Sequence, residues 1–157
     1  MGKTLVAYFS ATGTTAKVAK KLISVTGGDA FVIQPITAYT AADLDWTNPD
    51  SRSSKEMKDK AFRPPISGKV GNMAQYDTVY IGFPIWWYVA PTIINAFLEG
   101  YDLSGKTIIP FATSGGSGMG DTNVVLKPSC QGAVLKQGKR FAASVSEKEI
   151  QKWVQSL

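Results

Sequence analysis

The feature that most constrains this chain is an alternation of short apolar strands with amphipathic helices, carried from one end to the other. Lys3 to Phe9 is an apolar run, and the small polar residues Ser10 to Gly13 interrupt it. Thr14 to Val25 then places Val18, Ala19, Leu22 and Ile23 on one helical face, with Lys17, Lys20 and Lys21 largely off it. Gly27-Gly28 ends that helix where a left-handed cap is favoured. Ala30 to Gln34 reads as the next strand, stopped at Pro35, and Tyr76 to Phe83 as a third, ended by Pro84. Pro91 suits a first helical turn, and Ile93, Ile94, Phe97 and Leu98 give the buried stripe of a helix running to Glu99. Lys106 to Ala112 is a fourth strand, followed by a weaker helix over Asp121 to Lys127. Ala133 to Leu135 begins a fifth strand that kinks at Gly138 and continues through Arg140-Phe141. Ser146 to Glu149 is a capping box for a closing helix whose Ile150, Trp153 and Val154 face inward.

Each helix returns the chain to the same end of the sheet, so the strands must run parallel. Right-handed crossovers then place helices on both faces, giving a three-layer α/β sandwich. The whole of residues 1–157 fits one domain. One stretch resists the pattern. Residues 36–72 carry Asp43-Leu44-Asp45-Trp46, Ser51-Arg52 and a possible helix at Ser54 to Ala61. A segment this long inside a small domain is expected to be partly ordered and to lie near a site.

Composition removes several chemistries. The chain has no histidine and one cysteine, Cys130. A Ser-His-Asp triad, a Cys-His dyad, a His-ligated zinc and a disulfide framework are all excluded. Redox or group-transfer chemistry here would have to be carried by a cofactor. Cys130 has no resolving partner and is not expected to be a redox centre. The net charge of +5 invites a nucleic-acid reading. The lysines are scattered, however, with no arginine stripe and no zinc-finger spacing, and read as solvated surface. No nucleic-acid partner is expected. No apolar run approaches the roughly 20 residues of a membrane span, and the first residues lack a signal-peptide layout. A cytoplasmic protein without membrane contact is the expectation.

Three loops fall at the carboxyl ends of the first, third and fourth strands, the edge where open parallel sheets bind ligands. Ser10-Ala11-Thr12-Gly13-Thr14-Thr15 offers four hydroxyls, a turn glycine and the free amides of a helix N-terminus. That combination suits a phosphate without a lysine. It is neither a Walker loop nor a GxGxxG fingerprint, and a plain helix cap is the alternative. Pro84-Ile85-Trp86-Trp87-Tyr88-Val89-Ala90-Pro91 sets three consecutive aromatics between prolines. They cannot all enter one core, so a flat heteroaromatic ligand, a dimer contact or packing under the sheet edge must cover at least one. Thr113-Ser114-Gly115-Gly116-Ser117-Gly118 has no bulky side chain and lets backbone approach a ligand, or is simply flexible.

These loops, with Gly82 to Trp87, Gly105-Lys106-Thr107, Asp43 to Trp46 and Ser51-Arg52, resemble the flavodoxin-like FMN proteins, and more closely a small bacterial flavodoxin family. The resemblance covers nearly the entire chain. It implies a five-stranded parallel sheet in the order 2-1-3-4-5 with FMN at the switch point. It implies that Ser10, Thr12, Gly13, Thr14 and Thr15 hold the FMN phosphate. Pro84, Ile85, Trp86, Trp87 and Tyr88 would flank the isoalloxazine on one side, and Thr113, Ser114, Gly115, Gly116 and Ser117 on the other. Trp86 or Tyr88 is expected to stack on the ring, with Trp87 the more structural tryptophan. Two features depart from the family. Tyr88 stands where its members often carry glycine, and many electron-carrying flavodoxins are acidic whereas this chain is basic. The functional expectation is electron transfer through bound flavin to a redox partner protein, an acidic one by charge, in a monomer or homodimer. An NAD(P)H-dependent quinone reductase using a small quinone-like acceptor is the alternative, and a fold that has lost its flavin and serves only for binding is a third. Arg52 and Arg63 are the arginines expected to be able to approach a nicotinamide phosphate.

Overall fold

The computed structural model describes residues 3–157. Strand β1 (Lys3–Tyr8) leads to helix α1 (Thr14–Thr26), strand β2 (Asp29–Val32) and a short strand β3 (Gln34–Pro35). Helix α2 (Arg52–Lys58) and strand β4 (Ile66–Ser67) follow, then β5 (Tyr76–Pro84), α3 (Thr92–Glu99), β6 (Thr107–Thr113) and α4 (Thr122–Leu126). Strands β7 (Val134–Leu135) and β8 (Lys139–Phe141) precede the closing helix α5 (Glu147–Ser156). The main sheet runs β2-β1-β5-β6, and β7 and β8 pair successively along the far edge of β6, all in parallel. With β7 and β8 as one interrupted strand, this is the expected 2-1-3-4-5 order of a flavodoxin-like sandwich.

Strand parity explains the layers. Leu5 and Ala7 of β1, Val79, Ile81 and Phe83 of β5, and Ile108 and Ala112 of β6 pack with Ile93, Ile94, Phe97 and Leu98 of α3. Their neighbours Val6, Tyr8, Tyr80, Ile109 and Phe111 face the opposite way, onto Val18 and Leu22 of α1 and Ile150 and Trp153 of α5. Each such apolar side chain, fully buried, contributes about 1.5–3 kcal/mol. Gly82 makes room for one of them, since a Cβ there would sit 2.2 Å from the Phe111 ring.

Two elements differ from the sequence expectation by more than one residue at a boundary. The second strand ends at Val32, and Gln34-Pro35 instead pairs antiparallel with Ile66-Ser67. Pro35 has no N–H to extend the main ladder, and an edge pair tolerates it. The middle helix covers Arg52–Lys58 rather than Ser54 to Ala61, because Ser51 is its N-cap and its Oγ accepts the Ser54 amide at 3.3 Å. The expected capping box of α5 is present, with Ser146 Oγ accepting the Glu149 amide at 3.2 Å.

Candidate functional site

The chain leaves β1 outward to β2 and then crosses back to β5, so strand order reverses between β1 and β5. The three loops gather at the carboxyl edge around that reversal. In the first, Ser10 Oγ accepts the amides of Gly13 at 3.1 Å and Ala16 at 3.2 Å, closing the turn ahead of α1. Gly13 caps the helix at φ 93°, a left-handed conformation in which only glycine avoids a Cβ penalty. The first-turn amides of a helix have no intrahelical acceptor, and α1 has no acidic side chain there to compete for them. Thr12 is exposed and Thr14 half-buried, so both hydroxyls are available at the loop. Thr15 departs from the expected set. It is buried, and its hydroxyl shares a 2.7 Å hydrogen bond with the Thr113 hydroxyl, so that hydroxyl is already partnered.

In the second loop, Trp86 and Val89 exchange backbone hydrogen bonds of 2.9 and 3.1 Å, closing a two-residue turn on Trp87 and Tyr88. Both central residues have positive φ, 49° and 65°. This is the signature of a type I′ turn, normally built from Asn-Gly. Holding non-glycine residues so costs on the order of 1–3 kcal/mol each, and such strain collects at functional sites. The loop is braced from outside: the Asp121 amide donates to the Tyr88 carbonyl at 3.1 Å. Gly120 passes so close that a Cβ would lie 2.1 Å from that same oxygen.

Trp87 is not the more structural tryptophan that was expected. Trp86, at the base of the turn, lies edge-on to Phe9 at 5.7 Å and to Tyr39 at 5.4 Å between centroids. Trp87 and Tyr88, at the tip, are 44% and 69% exposed. The base of the turn stays against the core while the two tip residues project beyond it. Trp86 is therefore the structural member, and Trp87 joins Tyr88 as a free aromatic.

The third loop is open. Cβ atoms added at Gly115, Gly116 or Gly118 would meet nothing within 4 Å. Its start is held by Arg140 of β8, whose Nε donates to Ser114 Oγ at 3.0 Å and whose Nη2 donates to the Ser114 carbonyl at 2.6 Å. Ser114 Oγ in turn donates to the Ser117 carbonyl. Arg140 escaped the sequence reading, although its place on the fifth strand, in register with Ala112, put it at this edge. Pro84 pairs with Thr113 in the last β5–β6 rung, and the Ile85 amide donates to the Thr113 carbonyl at 3.0 Å, joining the second loop to the third.

A cavity of about 480 Å³ opens beside the second loop, lined by Ile85, Trp86, Trp87 and Tyr88 and by Ser117 of the third loop, and roofed by Leu44, Trp46 and Ser53. The roof comes from the irregular segment, which is ordered by one polar cluster. The Arg52 guanidinium lies 3.8 Å above the Tyr39 ring, and its Nε donates to Glu56 Oε2 at 2.9 Å. Tyr39 OH donates to Glu56 Oε1. Burial, and then the Glu56 carboxylate, hold the Tyr39 phenol well above its ordinary pKa, so it remains a donor at any physiological pH. Leu44 and Trp46 were noted in the sequence only as part of a motif. The fold makes them site residues.

A family model described as Flavodoxin matches residues 3–157. This chain belongs to that flavodoxin family. A presumed flavoprotein from Bacteroides eggerthii is 51% identical, with a TM-score of 0.93 over 99% of this chain and 98% of that one. A presumed flavoprotein from Bacteroides uniformis is 49% identical, with a TM-score of 0.93 over 98% of each chain. A Lactobacillus acidophilus flavoprotein solved in complex with FMN is 22% identical, with a TM-score of 0.71 over 98% of this chain and 99% of that one, and shares the fold. No curated protein matches significantly. Among the described residues no helix is long and apolar enough to cross a membrane, and no group of three or more His, Cys, Asp or Glu side chains could hold a metal ion.

Proposed function

We propose that this flavodoxin-family protein binds FMN at the three-loop edge and transfers electrons through it. The observation that carries the reading is the pairing of two complementary sites on one edge. An amide- and hydroxyl-lined helix N-terminus suits a phosphate, and beside it an aromatic cavity with an open glycine loop suits a flat ring system. The residues fit the group: space stands above Gly115 and Gly116, and Thr12 and Thr14 present hydroxyls at the α1 terminus. The flavin, when bound, supplies the electron chemistry.

The chain's own contribution is binding and exposure. Ser10 shapes the phosphate turn, the α1 amides and the Thr12 and Thr14 hydroxyls bind the anion, and Trp87 and Tyr88 cover the ring. Arg140 fixes the start of the glycine loop through Ser114, and the amides of that loop would be the donors for the polar edge of the ring. The chain has no histidine to act as acid or base, and electron transfer through a flavin needs none. The basic surface supports an acidic protein partner.

The test is the visible spectrum of the purified protein and the identity of what it releases on denaturation. One FMN per chain is expected. A protein that holds no flavin, and whose apo form binds none on titration with FMN, would end this reading.

A further inference from the structure

We infer that a second cavity, adjoining the proposed flavin cavity at Trp46 and Trp87, is a binding site for a planar aromatic carboxylate. This cavity has a volume of about 430 Å³ and lies between α2, the start of α3 and the start of α4. That size is within the range of small-molecule sites, about 300–1,000 Å³. Trp46 and Trp87 line both cavities, so the two adjoin at these indoles. Both are substantially exposed, at 73% and 44%, an unusual state for tryptophan unless something flat covers it. Trp87 is moreover kept there by a backbone conformation that a bulky residue adopts only at a cost.

The rest of the lining selects the ligand. Met57 and Val125 make the walls apolar, which favours a ring. Lys58 and Lys60 supply the cationic side, and neither has a carboxylate within salt-bridge distance among the described residues. Lys58 Nζ is steadied by donating to the Pro49 carbonyl at 3.2 Å, which leaves its remaining protons for an anion. Asp121 is the single opposing carboxylate in the lining, so two cations face one anion. No arginine and no glycine-rich turn lines the cavity, which argues against a nucleotide phosphate. An aromatic ring against the indoles with a carboxylate toward the lysines matches the apolar walls and the two-to-one excess of cations in the lining. Such a ligand would sit one indole away from the flavin cavity, as its small-molecule neighbour. That use rests on the FMN reading; the binding itself does not.

The experiment titrates 2-naphthoate and its methyl ester into apoprotein and into FMN-saturated protein, followed by calorimetry and tryptophan fluorescence. Naphthoate is expected to bind both forms with dissociation constants within about threefold of each other, a difference under 1 kcal/mol. Lys58→Ala with Lys60→Ala is expected to weaken naphthoate at least about tenfold, the loss of a charge-assisted contact, and to leave the ester and FMN within about twofold. Both lysines are exposed, so the variant's fold is not at risk. Naphthoate binding to a protein that takes no FMN would still support this site while ending the reading above. Competition between naphthoate and FMN, equal weakening of acid and ester, or no binding at millimolar naphthoate would each overturn it.

Discussion

The hydroxyls of Thr15 and Thr113 share a buried 2.7 Å hydrogen bond that ties the first turn of α1 to the last residue of β6. It joins the proposed phosphate loop to the glycine loop directly, in addition to the sheet from which both loops emerge.

Replacing one partner alone, Thr15→Val or Thr113→Val, leaves the other hydroxyl buried without its partner, at about 1–3 kcal/mol. The double substitution removes both polar groups and is expected to recover most of that loss. Urea unfolding of the two single variants and the double variant checks this. Additive losses would mean that the two hydroxyls do not depend on each other.

Thr12→Ala with Thr14→Ala is expected to weaken FMN far more than riboflavin, because only FMN carries the phosphate. Each lost hydrogen bond to a charged group costs about 1.5–3 kcal/mol. Titrating apoprotein with both flavins decides it, and equal weakening would remove the phosphate assignment from this loop.

Tyr88→Gly should raise the stability of the apoprotein by about 1 kcal/mol, the relief of a strained φ less the added chain entropy of glycine. Tyr88→Ala keeps the Cβ and should gain little. Chemical denaturation of the three proteins gives the ranking. With FMN retained, Tyr88→Gly is expected to brighten flavin emission, since Trp86 is held by Phe9 and Tyr39 and Tyr88 is one of the two aromatics free to cover the ring.

Burial pushes the Cys130 thiol up from 9.0 to about 11. At neutral pH it stays protonated and unreactive toward alkylating agents. Between those two values the unfolded chain has lost the proton that the native chain keeps, so stability falls as pH rises through that window and is fully present below it. Cys130→Ser is expected to flatten this alkaline loss and leave flavin reduction unchanged. Loss of reduction with FMN still bound would contradict the structural role.

The fold is legible because its strands and helices carry strong apolar runs and stripes, whereas the split of the first run into Leu5 and Ala7 on one core layer and Val6 and Tyr8 on the other comes from the structure. The site was legible as loops, not as side-chain directions. Adjacent residues in a turn have no period, so nothing in Trp86-Trp87-Tyr88 says which ring turns to the core. That is decided by the tip positions of the Trp86–Val89 turn and by Tyr39, which comes from a distant segment. Arg140 and Trp46 were hidden for a similar reason. Their roles arise from long-range packing, the one through a strand register and the other through the Arg52–Tyr39–Glu56 cluster.

Direct reduction by NADH or NADPH is expected to be slow. A nicotinamide must lie face to face with the flavin at about 3–3.5 Å, and its phosphates need cationic anchors. The arginines expected to serve are committed elsewhere: Arg52 lies on Tyr39 and bonds Glu56, and Arg63 makes a two-pronged contact with Glu99 at 2.8 and 3.0 Å. Arg140 is occupied with Ser114. Leu44 and Trp46 also roof the cavity a nicotinamide would enter. Reduction by light or by a flavodoxin reductase should proceed readily. With a net charge of +5, coupling to an acidic protein partner should weaken as salt rises, because screening shortens the attraction to about 10 Å at 0.1 M. Anaerobic mixing with each nicotinamide, followed at the flavin band, tests the point. Rapid bleaching, then reoxidation by a quinone, would make the protein a reductase rather than a carrier.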